Sequence, residues 1–226
     1  MIIDKINFPI YDVLIIFSII VGAIYIYISV NKEGISKKNI IIYFALFFFI
    51  ILLCGKLYTF IEFRGKGNIW SIGVTGYGGL IGTILSSFIY YFIYKDDRFI
   101  KYSIISLPLM YGFAKLSCFF NGCCIGIPYS GPFAVTYVFR NNDSFFPIQL
   151  VETISFVFLF QICNLINRHK NVIYITLILT FFLKFLLDFL RYSHLYEFLS
   201  NNQKMSIILC FITIFIYFIN RYKKTS

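Results

Sequence analysis

Polar residues in this chain fall into clusters, and between them lie apolar stretches at about 10–30, 40–61, 69–94, 100–120, 147–167, 172–190 and 205–220. A helix needs roughly 20 predominantly apolar residues to cross the hydrocarbon of a bilayer, and most of these stretches are near that length. The soluble alternative fails on composition. With 59% hydrophobic side chains, 21% aromatic and 13% charged, 226 residues hold more Ile and Phe than a globule of that size can hide. The sequence therefore predicts an all-α polytopic membrane protein. It is read as a single integral membrane domain over 1–226 with about seven transmembrane helices.

Seven spans place the two ends on opposite sides. Alternate connections then carry different charge: eleven cations (Lys32, Lys37, Lys38, Lys95, Arg98, Lys101, Arg168, Lys170, Arg221, Lys223, Lys224) against six (Lys5, Arg64, Lys66, Arg140, Arg191, Lys204). By the positive-inside rule the richer set is cytoplasmic, so the N-terminus is expected outside and the C-terminus inside. The connections at about 121–146 and 191–204 are then extracytoplasmic. No cleavable signal peptide is expected, because Met1-Ile2-Ile3-Asp4 lacks a basic region and no small-residue cleavage site follows the first apolar run. The formal charge of +10 is scattered between spans rather than gathered on a stripe, so no nucleic-acid partner is expected.

Lys56, Lys115 and Lys184 lie inside otherwise apolar stretches. A cation at bilayer depth costs about 2.5–3.5 kcal/mol on insertion scales unless something polar or anionic receives it, so such residues mark functional cavities. Gly73, Gly76, Gly78, Gly79 and Gly82 crowd one segment. That density fits either an irregular segment lining a lipid-accessible cavity or ordinary small-residue helix packing. Glycines and prolines from Asn121 to Pro132 break a helix soon after Lys115, and Gln149 and Glu152, three apart, share a helix face.

Of six cysteines, Cys118, Cys123 and Cys124 are close in sequence, but no second CxxC and no histidine accompanies them; His169 and His194 fall elsewhere. The spacing leads to no metal and no cofactor, with free thiols or a disulfide involving Cys123 and Cys124 as the readings kept. Cys54, Cys163 and Cys210 read as packing. Neither histidine follows a nucleophile elbow, so a Ser-His-Asp site has little support.

Several runs, in order, resemble the motifs of one family. Gly76-Tyr77-Gly78-Gly79-Leu80-Ile81-Gly82 is similar to HGGLIG, and Ala114 to Gly126 to the signature GRxGNFxNGExxG, keeping Asn121, Gly122 and Gly126. Phe146 to Glu152 matches HPxQLYE in Pro147, Gln149, Leu150 and Glu152. Lys184 to Arg191 resembles RFxxEFxR, Leu199 to Ile207 resembles LSxxQxxSI, Cys54 to Tyr58 resembles GARLxY, and Phe8 to Asp12 resembles FPxxD. The family is that of prolipoprotein diacylglyceryl transferases, and the paired Cys123-Cys124 is similar to its divergent branch with GCC at this place. Tyr77 stands where the family has histidine, and Lys56, Lys115 and Lys184 stand where it has arginine.

The resemblance implies transfer of a diacylglyceryl group from phosphatidylglycerol to the lipobox cysteine of a secretory preprolipoprotein, in a bacterial plasma membrane crossed many times. It implies catalytic roles for Tyr77, Lys115, Glu152, Lys184 and Arg191, with the cations on the phosphate and Tyr77 or Glu152 on the thiol proton. Substrate-binding roles follow for Lys56, Gly78, Gly79, Asn121, Gly122, Gly126, Gln149 and Asp188. The partners implied are phosphatidylglycerol, the preprolipoprotein and membrane lipid. Two other readings stay open: a transferase with a different acceptor, and a non-catalytic lipid-binding or transport relative. Against transport, the two halves show no convincing internal similarity.

Overall fold

The computed structural model describes residues 1–3, 10–62, 75–141 and 143–225. Lys5, Phe8, Pro9, Arg64, Lys66 and Gly73 lie outside them. The described residues form helices α1 (Ile10–Lys32), α2 (Lys37–Glu62), α3 (Gly76–Tyr94), α4 (Arg98–Asn121), α5 (Ile148–Leu165), α6 (Val172–Asp188) and α7 (Asn201–Thr225), one for each apolar stretch. Six are long and apolar enough to cross a membrane. The seventh, α6, has 17 residues. At 1.5 Å per residue it covers about 25 Å, slightly less than the hydrocarbon core.

Internal packing divides the chain into two compact units, Met1–Ser18 with Gly112–Ser226, and Ile19–Tyr111. In the second unit α1 ends on a left-handed Gly34 (φ 72°), which lets the Ile35 N–H return to the Val30 carbonyl and closes the helix. The main pairing there is α2 with α3. A β-carbon on Gly78 would lie 2.6 Å from Gly55 Cα, and one on Gly82 would lie 2.8 Å from Ile51 Cα. These two glycines, four apart on one face, let the backbones touch. Lipid offers no hydrophobic drive to hold helices together, so that close approach is the main source of attraction. Helix packing is thus the observed role of Gly78, whereas a β-carbon on Gly79 would meet nothing within 4 Å. Gly78→Ala and Gly82→Ala are therefore expected to cost about 1–3 kcal/mol each through overpacking, read as a lower melting temperature in detergent. Gly79→Ala should leave the melting temperature unchanged.

In the first unit α5, α6 and α7 pack in sequence. Along α5 the buried Gln149, Glu152, Phe156, Leu159 and Cys163 recur at helical spacing, while Ile154, Phe158 and Leu165 are exposed on the other side. The buried side thus carries Gln149 and Glu152 among apolar residues, and large apolar side chains stand on the exposed side, as suits a helix in a bilayer. The connection from α4 to α5, expected to be irregular, contains strands. Strands β1 (Ile2–Ile3), β2 (Val135–Tyr137) and β3 (Ser144–Phe145) form a small sheet in that order, with Ile2 beside Thr136 in parallel and Thr136 opposite Ser144 in antiparallel. Ile3, Phe119, Ile125, Val135, Tyr137 and Phe145 pack together beneath it. Strands of two or three residues are too short to leave a period-two pattern in a sequence.

Candidate active site

Three segments of the first unit bring five charged side chains together. Glu152 comes from the second turn of α5, Lys115 from the last turns of α4, and Lys184 and Asp188 from successive turns of α6, with Arg191 just beyond its end. The i, i+4 spacing of Lys184 and Asp188 puts them on one face, and the chain turns so that Arg191 joins them.

The Glu152 carboxylate is the hub and has no exposure. It accepts from Lys184 Nζ at 3.2 Å and from Arg191 Nη2 at 2.8 and 2.9 Å, one contact to each oxygen. Lys115 Nζ lies 3.5 Å from its Oε2. Asp188, also unexposed, pairs with Lys184 Nζ at 2.9 Å and with Arg191 Nε at 2.9 Å. Three cations thus share two carboxylates, leaving one positive charge in excess. Removing five charges from water is costly, and each of the five lies against at least one opposite charge. Lys115 and Arg191 keep 9% and 7% side-chain exposure, whereas Lys184 keeps 3%. Lys184 is the most deeply buried of the three and lies between the two carboxylates. With cations on both its oxygens, Glu152 is shared by all three cations.

Asp188 is also held from α7. Ser200 Oγ donates to its Oδ2, and Ser200 and Gln203 form a reciprocal cap on the helix: Gln203 N–H to Ser200 Oγ and Ser200 N–H to Gln203 Oε1, both 3.1 Å. These two residues were not among the expected site residues, although the S-x-x-Q spacing ahead of an apolar run is a capping signal.

Of the other expected residues, Gln149 is buried, and its Nε2 donates to the Cys123 carbonyl at 2.8 Å and to Tyr137 Oη at 3.4 Å. It therefore fastens the loop after α4 to α5. Gly122 turns that loop at φ 61°, where a side chain would also meet the Phe139 ring at 2.5 Å. Gly126 forms a β-bridge with Arg191, and a β-carbon on it would run into the Phe146 carbonyl. With Ile127 N–H on Leu190 O at 3.0 Å and Tyr192 N–H on Ile125 O at 3.1 Å, the loop is laced to the segment carrying Arg191. Asn121 ends α4 exposed. Tyr77, Gly78, Gly79 and Lys56 belong to the Ile19–Tyr111 unit. There Tyr77 is buried and stacks on Tyr58 with centroids 6.1 Å apart, one residue into α3, whose cap is Thr75.

The chain is similar to known proteins. A phosphatidylglycerol–prolipoprotein diacylglyceryl transferase of Wigglesworthia glossinidia brevipalpis is 30% identical over 172 residues, 65% of this chain and 54% of the relative. Phosphatidylglycerol–prolipoprotein diacylglyceryl transferase 1 of Clostridium perfringens (strain 13 / Type A) is 25% identical over 209 residues, 82% of this chain and 79% of the relative. The match to the first thus spans about half that relative's length. The family model for prolipoprotein diacylglyceryl transferase fits residues 1–219, essentially every segment described above, and the chain accordingly belongs to the prolipoprotein diacylglyceryl transferase family.

Proposed function

We propose that this multi-pass protein sits in a bacterial plasma membrane and transfers the diacylglyceryl group of phosphatidylglycerol to the cysteine thiol of a prolipoprotein. The supporting observation is the buried cluster of Lys115, Lys184, Arg191, Glu152 and Asp188, with its one positive charge in excess, set among lipid-facing helices. A phosphatidylglycerol phosphodiester carries one negative charge. Lys115 and Arg191 would hold it, Lys184 would position them through the carboxylates, and Gln149 would keep the adjoining loop in register. In the reaction an acceptor thiolate forms a C–S bond to the glyceryl carbon while the C–O bond to phosphate breaks. The electron pair leaves with the phosphate, so the thiolate's charge ends on glycerol phosphate, and cations fixed in advance stabilise that build-up. We further propose that the site opens on the extracytoplasmic side, following the distribution of cations between the connections.

The test uses purified protein in detergent with phosphatidylglycerol and a peptide bearing a lipobox cysteine, following glycerol phosphate release and the mass of the thioether product. Transfer is the expected result. No transfer by protein that binds the lipid would favour the non-catalytic reading, which the buried, stacked Tyr77 at the family's histidine position keeps in view. Tyr77→Phe removes only the hydroxyl. Loss of transfer with an unchanged melting temperature would assign that hydroxyl a part in the proton's path, and full transfer would take it out of the mechanism.

A further inference from the structure

The loop after α4 does something its spacing does not show. The Sγ atoms of Cys118, Cys123 and Cys124 all lie within 4.8 Å of one another. Cys118 sits one turn beyond Lys115 on α4, and the Cys123 N–H bonds back to the Cys118 carbonyl at 3.1 Å, which folds the loop over the helix end. Consecutive side chains on an extended chain point to opposite sides. Here Cys124 takes φ 53°, a left-handed conformation that residues other than glycine avoid, and it follows Gly122 at φ 61°. The result is that both neighbouring thiols reach the same point as Cys118. Gln149 holds this arrangement through the Cys123 carbonyl.

We propose that Cys118, Cys123 and Cys124 bind a thiophilic divalent ion, zinc by preference, whose fourth position receives the acceptor cysteine. In tetrahedral zinc with Zn–S near 2.3 Å the sulfurs are about 3.8 Å apart, so the three thiols need only a small contraction. A disulfide would use two of them and leave the third without a task. Three protein ligands with an open fourth position is the arrangement of catalytic zinc, and the exposed Cys124 leaves a way in.

The chemical consequence rests on the proposed transferase reading. A thiol that coordinates zinc is deprotonated by it. The acceptor cysteine would displace a bound water, release its proton to solvent and become a thiolate, and its sulfur lone pair would then form the C–S bond as the phosphate leaves. The ion supplies what a general base supplies in a metal-free site, and it does so in a chain with Tyr77 in place of the family's histidine.

The decisive experiment measures metal first and activity second. Full-length protein, purified without chelator and with thiols protected, should contain about one zinc per chain. Cobalt substituted for it should give a thiolate-to-metal charge-transfer band. Single Ser variants of Cys118, Cys123 or Cys124 should lower metal affinity at least tenfold, whereas Cys54→Ser, Cys163→Ser and Cys210→Ser should not. Because Cys118→Ser in a buried position can misfold, Cys124→His serves as the second variant: it should keep the metal and shift the cobalt spectrum. A lipobox peptide should perturb the cobalt band, and the same peptide with Ser for Cys should not. Chelation should stop transfer, and zinc should restore it. Absence of stoichiometric metal, metal that persists in the triple Ser variant, or a disulfide among the three cysteines trapped in cells would overturn the site. Full transfer by metal-free protein would overturn the ion's catalytic part and leave the transferase reading intact. Metal bound through the three thiols without any transfer would uphold the site and overturn the transferase reading, and with it the ion's catalytic part.

Discussion

Glu152→Ala is expected to reduce transfer by about a hundredfold or more and to destabilise the Gly112–Ser226 unit by about 3–5 kcal/mol. Three cations lie within 3.5 Å of this one carboxylate. Without it, Lys184 and Arg191 keep their contacts to Asp188 but lose those to Glu152, Lys115 loses its contact at 3.5 Å, and a weakened balance of buried charge is penalised far more than a missing apolar contact. Since whole domains are stable by only about 5–15 kcal/mol, the variant should melt well below the wild type in detergent. Glu152→Gln separates the two effects. It keeps the volume and two polar atoms but removes the charge, so it should fold better than the alanine variant and transfer as poorly. Wild-type melting and wild-type transfer in Glu152→Ala would show that the cluster has no such centre.

The second large effect is expected at the two cations proposed to hold the phosphodiester. Lys115→Ala and Arg191→Ala should each lower transfer by about a hundredfold or more, the usual cost of removing one fixed donor to a developing anion. The replacements by the other cation should differ. Lys115→Arg should be tolerated, because the Lys115 side chain retains some exposure and a guanidinium grips phosphate with two prongs. Arg191→Lys should fail, because a single ammonium cannot contact both Glu152 oxygens and Asp188 as Arg191 does. Lys184→Arg should also be poor: at 3% exposure, between Glu152 at 3.2 Å and Asp188 at 2.9 Å, there is no room for the larger head. Initial rates at matched expression, with melting curves beside them, check all five. Near-normal rates in the alanine variants would mean that these cations only anchor helices at the headgroups.

The spans were legible because hydrophobicity over some twenty residues is a sum, and sums survive local irregularity. Lys115, Glu152, Lys184 and Asp188 were legible one by one, since each interrupts an apolar run, and Arg191 through the motif that runs from Lys184 to it. What could not be read was their convergence. That Glu152 on α5 meets residues of α4 and α6 depends on which helices are neighbours, and no local pattern carries that information. The glycines of α3 illustrate a related limit. Gly78 and Gly79 are adjacent and chemically identical, yet one is pressed against α2 and the other meets nothing, because a helix turns by about 100° between them. The left-handed backbone at Cys124 left no trace either, because cysteine gives no sign of such a conformation as glycine does.

The bond from Ser200 to Asp188 ties chemistry to the order in which the chain is made. Ser200 and Gln203 hold their places by capping α7, which follows the five charged groups in the chain, and Ser200 reaches the same Asp188 that pairs with Lys184 and Arg191. A nascent chain that has inserted its first six helices already owns every charged group of the cluster but lacks this latch. Such a chain holds all five charges with Asp188 still unlatched, and the full set of contacts on that carboxylate forms only once α7 has docked beside α6.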